Sequence, residues 1–366
     1  MTITNEIFEA FLRCPTKCFL QAEGAIPTGN VYAEWVQGEV ESYRVEGAKH
    51  LTKRLSAIES TNGLLDRSDF ISATWRCALN STLHSENLES HIDAIERLSL
   101  QTAALSPQFV PMRFVRATRP NNVDKLMLAF DALVLSEVTG EQVAFGRIIH
   151  GDDRTSLRIK TAALTQQVRK TIDRISEILR KGSAPELVLN RHCAECHFQG
   201  RCREQARHID ELSLFSGMSP EERDRHRRRG IFTINQLSYT FRPRRLPKGQ
   251  APRARPHYFA LQALAIRENT IYVDGDPQLP EAEASIYLDI EGLSTSGPYY
   301  LIGVLSVAEG IEQFHPFWAD QPADEVKIFA NFVELVSQFL SGHPKRLWRK
   351  TICGAGVRIC LQVRLL

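Results

Sequence analysis

The chain has 366 residues, of which 43% are hydrophobic and 24% charged, with a formal net charge of +2. That balance excludes a disordered, collagenous or small disulfide-framework chain and fits a globular protein of two or three domains. The opening "MTITNEIFEAFLRCP" carries Glu6 and Glu9 instead of a signal-peptide apolar core, and no apolar run has the length of a membrane span, so the expectation is a cytoplasmic chain with no membrane segment.

Taken in order, "EGAKHL" offers Gly47 and His50. The stretches "DKLMLAFDALVLSEV", "QVAFGRIIHG" and "SLRIKTA" read as three consecutive strands separated by loop residues. Asp131 sits inside the first, the longest apolar stretch. A carboxylate among apolar strand residues is costly unless it is paired or ligated, so Asp131 is a candidate metal ligand, with a paired core carboxylate as the alternative. A helix follows, in which Leu164, Val168, Ile172, Ile175 and Leu179 recur at steps of four and three and Gly182 supplies the stop.

The stretch "NRHCAECHFQGRC" then sets Cys193, Cys196 and Cys202 in a C-x2-C-x5-C array. Three soft donors call for a fourth, which Cys14, Cys18, Cys77, Cys353, Cys360, His192 or His197 could supply. With eight cysteines and no secretion signal, metal ligation or burial is expected before a disulfide framework.

Residues 213–256 hold eleven Lys/Arg against three Asp/Glu, a local excess that suits a nucleic-acid backbone, with a solvated linker as the alternative. Within that block "LSLFSGMSPEERDRHRRRGIFTINQLSYTF" has the outline of two short helices. Ser219 and Glu222 form a capping box, Pro220 stands first in its helix and Gly230 ends it. The Arg/Pro-rich stretch over 242–256 is the linker candidate.

Beyond it, "SIYLDIEGL" alternates Ile286, Leu288 and Ile290 with Tyr287, Asp289 and Glu291, the period of a strand. Asp289 and Glu291 project to one side and can share a divalent metal. "PYYLIGVLSVAEG" and "IEQFHPFW" continue as two strands joined at Glu309-Gly310. A helix follows with Val326, Phe329, Val333, Val336 and Phe339 inward and Gly342 at its end. After Glu334 there is no acid, and the tail holds six Lys/Arg. A chain cut short near residue 345 is the expectation.

These stretches together resemble bacterial RecB-like nucleases that carry an iron–sulfur cluster and end in a YprB-type ribonuclease-H-like domain. The resemblance spans about residues 5 to 345. It rests on "FLRCPTKCFL", the C-x2-C-x5-C array, "GIFTINQLSYTFRPRR", "LQALAIRE", "YLDIEGL" and "YYLIG". It implies a mixed α/β fold: a PD-(D/E)xK restriction-endonuclease-like core over 1–210, a helix-hairpin-helix-like basic connector over 211–256, and the N-terminal half of a ribonuclease-H-like fold over 257–366. It implies a [4Fe–4S] cluster on Cys14, Cys193, Cys196 and Cys202, with zinc on the three clustered cysteines and a histidine as the alternative. Closing so long a loop would stabilise by about 5 kcal/mol at most, by analogy with disulfides.

The implied reaction is hydrolysis of DNA or RNA phosphodiesters with Mg²⁺ or Mn²⁺. His50, Asp131 and Lys160 would serve the first centre, and Asp289 and Glu291 would open a DEDD-type exonuclease site. The chain departs from the pattern at Arg158, where the family has its second acid, and at Thr171, where a tyrosine would follow Gln167. A noncatalytic nucleic-acid-binding or scaffold protein with a structural metal cluster is the alternative.

Overall fold

The computed structural model describes residues 2–53, 59–98, 108–215, 217–242, 258–272, 284–292, 299–341, 346–352 and 358–365, the last two segments as backbone alone. The described chain is mixed α/β and divides into two compact units, Met1–Tyr272 and Val273–Leu366. Among the described residues no helix is long and apolar enough to cross a membrane.

The first unit opens with helices α1 (Asn5–Arg13), α2 (Pro15–Ala22) and α3 (Val31–Thr52). Next come β1 (Ser60–Leu65), α4 (Arg67–Ile71), β2 (Cys77–Ser85), β3 (Leu88–Leu98) and β4 (Gln108–Val115). Then follow α5 (Asn122–Thr139), β5 (Gly146–His150), β6 (Thr155–Ile159) and α6 (Thr165–Lys181). The six strands form one sheet in sequence order, with β1–β2 and β4–β5 parallel and the other pairs antiparallel.

Helices cover both faces of this sheet. Helices α1, α5 and α6 close one side over a large core containing Phe8, Phe130, Ile92 and Ile175. Helix α3 lies on the other side, over Leu79, Ala94, Met112 and Phe114. Gly47 permits its close approach, since a Cβ there would stand 2.5 Å from the Phe114 ring.

Residues 124–138, expected as a strand, belong instead to helix α5. Every position from Leu126 to Leu135 is buried, so this helix meets packed neighbours all round. A helix without a polar face leaves no 3.6-residue alternation for a reader to find. Its ends are marked all the same: Asn121 and Asp124 form a capping box, and Gly140 closes the helix at φ +76°. The two following strands and helix α6 lie where the sequence placed them.

After α6 the chain runs through a 3₁₀ turn at Arg191–Glu195 into α7 (Gln199–His208), α8 (Pro220–Arg227), α9 (Ile234–Ser238) and α10 (Phe259–Glu268). Helices α8 and α9 are the two short helices read from the sequence. Ser219 and Glu222 cap α8 reciprocally, and Gly230 turns the chain at φ +75°. Leu212, Phe215, Ile234, Leu237, Phe259 and Ala263 make a small core of their own, with α9 and α10 packed together in it. Most of the Arg/Pro-rich linker candidate, residues 243–256, lies outside the described residues.

The second unit contains β7 (Ala284–Gly292), β8 (Tyr299–Ala308), β9 (Ile311–Trp318), α11 (Glu325–Ser341), β10 (Arg346–Ile352) and β11 (Arg358–Leu365). Its sheet is antiparallel throughout, in the order β10-β11-β7-β8-β9. Glu309 and Gly310 both have positive φ, 54° and 78°, which suits a tight hairpin turn between twisted strands.

Helix α11 packs on the β7 face formed by Ile286, Leu288 and Ile290, using Ile328, Phe332, Leu335, Val336 and Phe339. The expected inward set is therefore corrected: Val326, Phe329 and Val333 face out. The helix is apolar on two sides, so periodicity alone could not choose between them. Gly342 lies outside the described residues.

Candidate metal centre and nucleic-acid surface

Cys14 stands in extended backbone between α1 and α2, with Pro15 opening the second helix. A proline is welcome at a first helical position but does not continue a preceding helix, so the sequence forces a break at this cysteine. On the far side, Asn190 caps the 3₁₀ turn that carries Cys193, and Cys202 lies on α7. These elements meet: Cys14, Cys193, Cys196 and Cys202 line one cavity together with Lys17, His192, Leu187, Leu189 and Phe198.

Hydrogen bonds tie the two walls. Asn190 Nδ2 donates to the Arg13 carbonyl at 3.1 Å, Asn30 Nδ2 donates to the Ala194 carbonyl at 2.9 Å, and the Thr28 N–H donates to the His197 carbonyl at 3.0 Å. The Asn190 N–H donates to Cys193 Sγ at 3.3 Å.

Of the alternative donors, Cys18 is buried in the main core beside Phe8, where burial pushes its thiol up to about 12. Cys77 lies beneath α3, and burial raises it to about 11. Cys353 and the side chain of Cys360 are outside the described residues. His192 lines the cavity.

Burial, with the other cysteines beside them, raises the thiols of Cys193 and Cys202, the latter to about 11. A cation that draws off the thiol protons reverses that cost, which is why buried thiol clusters favour metals. Burial and the adjacent charges of Lys17 and Arg13 lower His192 to about 4, so its ring is neutral. Its Nδ1 is closed off without a hydrogen-bond partner.

Four soft donors around one cavity, with an orphaned polar atom in its wall, fit a thiolate-bound metal group. The donors are not drawn tightly together: among the described residues no three His, Cys, Asp or Glu form a group able to hold a single ion.

The first carboxylate centre read from the sequence is arranged differently. Asp131 is 0% exposed on α5. Its Oδ1 accepts from Asn5 Nδ2 and Ser90 Oγ, both at 2.8 Å, and its Oδ2 pairs with Arg113 at 2.8 Å. It is the paired core carboxylate, with both oxygens in use. His50 and Lys160 are exposed, at the C-terminal end of α3 and just after β6, so neither shares the sealed environment of Asp131. Arg158 stacks over the Phe145 ring at 3.7 Å.

Sequence reasoning missed Asp93 and Arg113. The β3–β4 ladder ends at Ala94↔Met112, β4 continues beside β5, and Asp93 accepts the Phe114 N–H at 2.7 Å where the strands part. Arg44 Nε lies 3.6 Å from the same carboxylate. Burial alone would lower the pKa of Arg113; Asp131, Asp93 and Glu9 around it reverse that and raise it. The signal was available in "SHIDAIERL", where an acid interrupts a strand rich in apolar residues.

In the second unit, Asp289 and Glu291 are exposed on the face of β7 opposite α11. On the β8 side their ladder partners are Gly303 and Leu301, and on the β11 side Arg358 stands opposite Asp289.

On the basic block, Arg227 turns inward to Glu186 and Glu211, and Arg223 is largely buried beside Asp224. Arg225, Arg228 and Arg229 remain exposed around the end of α8, and Phe232 and Tyr239 are exposed nearby in the sequence. Arg267 lies over the Tyr239 ring at 4.2 Å.

The chain matches no protein-family model and no curated protein.

Proposed function

We propose that this chain is a nucleic-acid-binding protein of the RecB-like type, cytoplasmic, with a structural iron–sulfur clasp. In this reading the first unit is a PD-(D/E)xK-like core whose carboxylates serve folding, and the second is part of a ribonuclease-H-like fold. Cys14, Cys193, Cys196 and Cys202 would hold a [4Fe–4S] cluster, which supplies a cross-link between the N-terminal helices and the segment around α7. The thiols provide the ligands, Asn190 orients Cys193, and the Asn30 and Asn190 hydrogen bonds hold the two walls in place.

The observation that carries the binding function is the use made of the five arginines in 223–229. Arg227 is turned to the buried Glu211 and Arg223 is half-buried beside Asp224, while Arg225, Arg228 and Arg229 are left exposed together on a capped helix and its turn. Such a cluster attracts phosphates without reading bases. Fluorescence anisotropy with a labelled oligonucleotide over a salt series tests it. Binding that weakens steeply with salt, and is lost in the Arg225→Glu/Arg228→Glu/Arg229→Glu variant, is expected; equal binding by the variant overturns the assignment.

A second reading, metal-dependent phosphodiester hydrolysis, is favoured by one observation: Asp289 and Glu291 lie two residues apart on one open strand face. Two carboxylates so placed can hold Mg²⁺ or Mn²⁺ and activate water. Cleavage that requires the metal and disappears in Asp289→Asn supports this reading, and the absence of cleavage leaves the binding protein.

A further inference from the structure

We propose that His192 is a hydrogen-bond donor, through Nδ1, to the sulfur atoms of the group held by Cys14, Cys193, Cys196 and Cys202, with Lys17 fixing the ring in the required tautomer. This deepens the four-cysteine reading and rests on it. Lys17 Nζ lies 3.1 Å from His192 Nε2. An ammonium has only donors, so Nε2 must offer its lone pair to Lys17, and the single ring hydrogen of the imidazole then stands on Nδ1. That atom is shut off from solvent and has no protein acceptor.

Both side chains line the cavity the four cysteines line. The acceptors such a cavity would bring to a buried N–H are thiolate or sulfide sulfurs. The same geometry argues against His192 as a ligand: one nitrogen has given its lone pair to Lys17, and the other carries the hydrogen. A Cys₃His zinc site built on His192 would have to break the Lys17 contact.

A donor to sulfur leaves metal content unchanged but stabilises the more negative state of a cluster, raising its reduction potential. The test uses the full chain purified without oxygen, in wild-type, His192→Phe, His192→Gln and Lys17→Met forms. Iron, sulfide and zinc are measured, with the midpoint potential read by spectroscopic titration.

His192→Phe is expected to keep wild-type iron and sulfide while its potential moves negative. His192→Gln, which retains an N–H, lies between the two. In the Lys17→Met background the effect of His192→Phe shrinks, because the ring is no longer held as a donor. An unchanged potential in His192→Phe, or loss of metal as complete as in Cys14→Ala, overturns the proposal. Zinc without sulfide in the wild type overturns the cluster reading instead. There, full zinc retention by His192→Phe upholds the donor role, and zinc loss makes His192 a ligand and overturns it.

Discussion

The carboxylate of Asp131 is fully enclosed, with Asn5 and Ser90 on one oxygen and Arg113 on the other. Burying either charge alone costs several kcal/mol, and the pair is tolerable because each neutralises the other. Asp131→Ala would leave the Arg113 guanidinium buried beside a cavity with one counter-charge fewer. A destabilisation of about 3–5 kcal/mol is expected for breaking such a pair, measured by urea unfolding of the full chain. Wild-type stability in Asp131→Ala would show that the pair is not integral to the core. The residue's prominence in the sequence was real, but what it signalled was a buried partner. That partner, Arg113, comes from strand β4 and is invisible to local reading.

At the scale of elements, legibility followed the contrast between faces. Strands β7, β8 and β9 were readable because one face of β7 packs on α11 and the other meets solvent, so side chains alternate. Helix α6 was readable for the same reason at the helical period. Helix α5 lacks such contrast, and its buried run could be assigned only by its length and caps.

Cys193, Cys196 and Cys202 were legible because their spacing is a local signal, whereas Cys14 entered only through the resemblance. The hydrogen bonds from the Asn190 and Asn30 side chains that hold the Cys14 segment against them are tertiary. Helix α11 gives a direct check of the corrected face. Ile328→Ala, on the buried side, should cost about 2–5 kcal/mol in the stability of the second unit. Val326→Ala, on the exposed side, should stay within about 0.5 kcal/mol. Equal effects by amide hydrogen exchange would contradict the assigned packing.

For the molecule as a whole, charge is segregated: the overall formal charge is +2, yet eleven Lys/Arg stand against three Asp/Glu in residues 213–256. Replacing Arg225, Arg228 and Arg229 with Glu is expected to abolish binding of oligonucleotide. Their neutral Gln versions should lower the log–log salt slope by about 2–3 for duplex DNA, as three lost phosphate contacts require. An unchanged slope would place the binding surface elsewhere. Asp289→Asn is expected to remove any Mg²⁺-dependent cleavage while leaving binding intact, measured on the same oligonucleotide; cleavage retained in that variant would remove Asp289 from the reaction.

The proposed clasp would join the N-terminal helices to the segment around α7, with Cys14 and Cys193 set 179 positions apart in the sequence. The measurement that tests it most directly is the iron, acid-labile sulfide and zinc content of wild type and Cys14→Ala, purified without oxygen. Iron with sulfide in the wild type, lost in Cys14→Ala, is the predicted result. Zinc without sulfide, retained in Cys14→Ala, would contradict the clasp and reduce Cys193, Cys196 and Cys202 to a local zinc site.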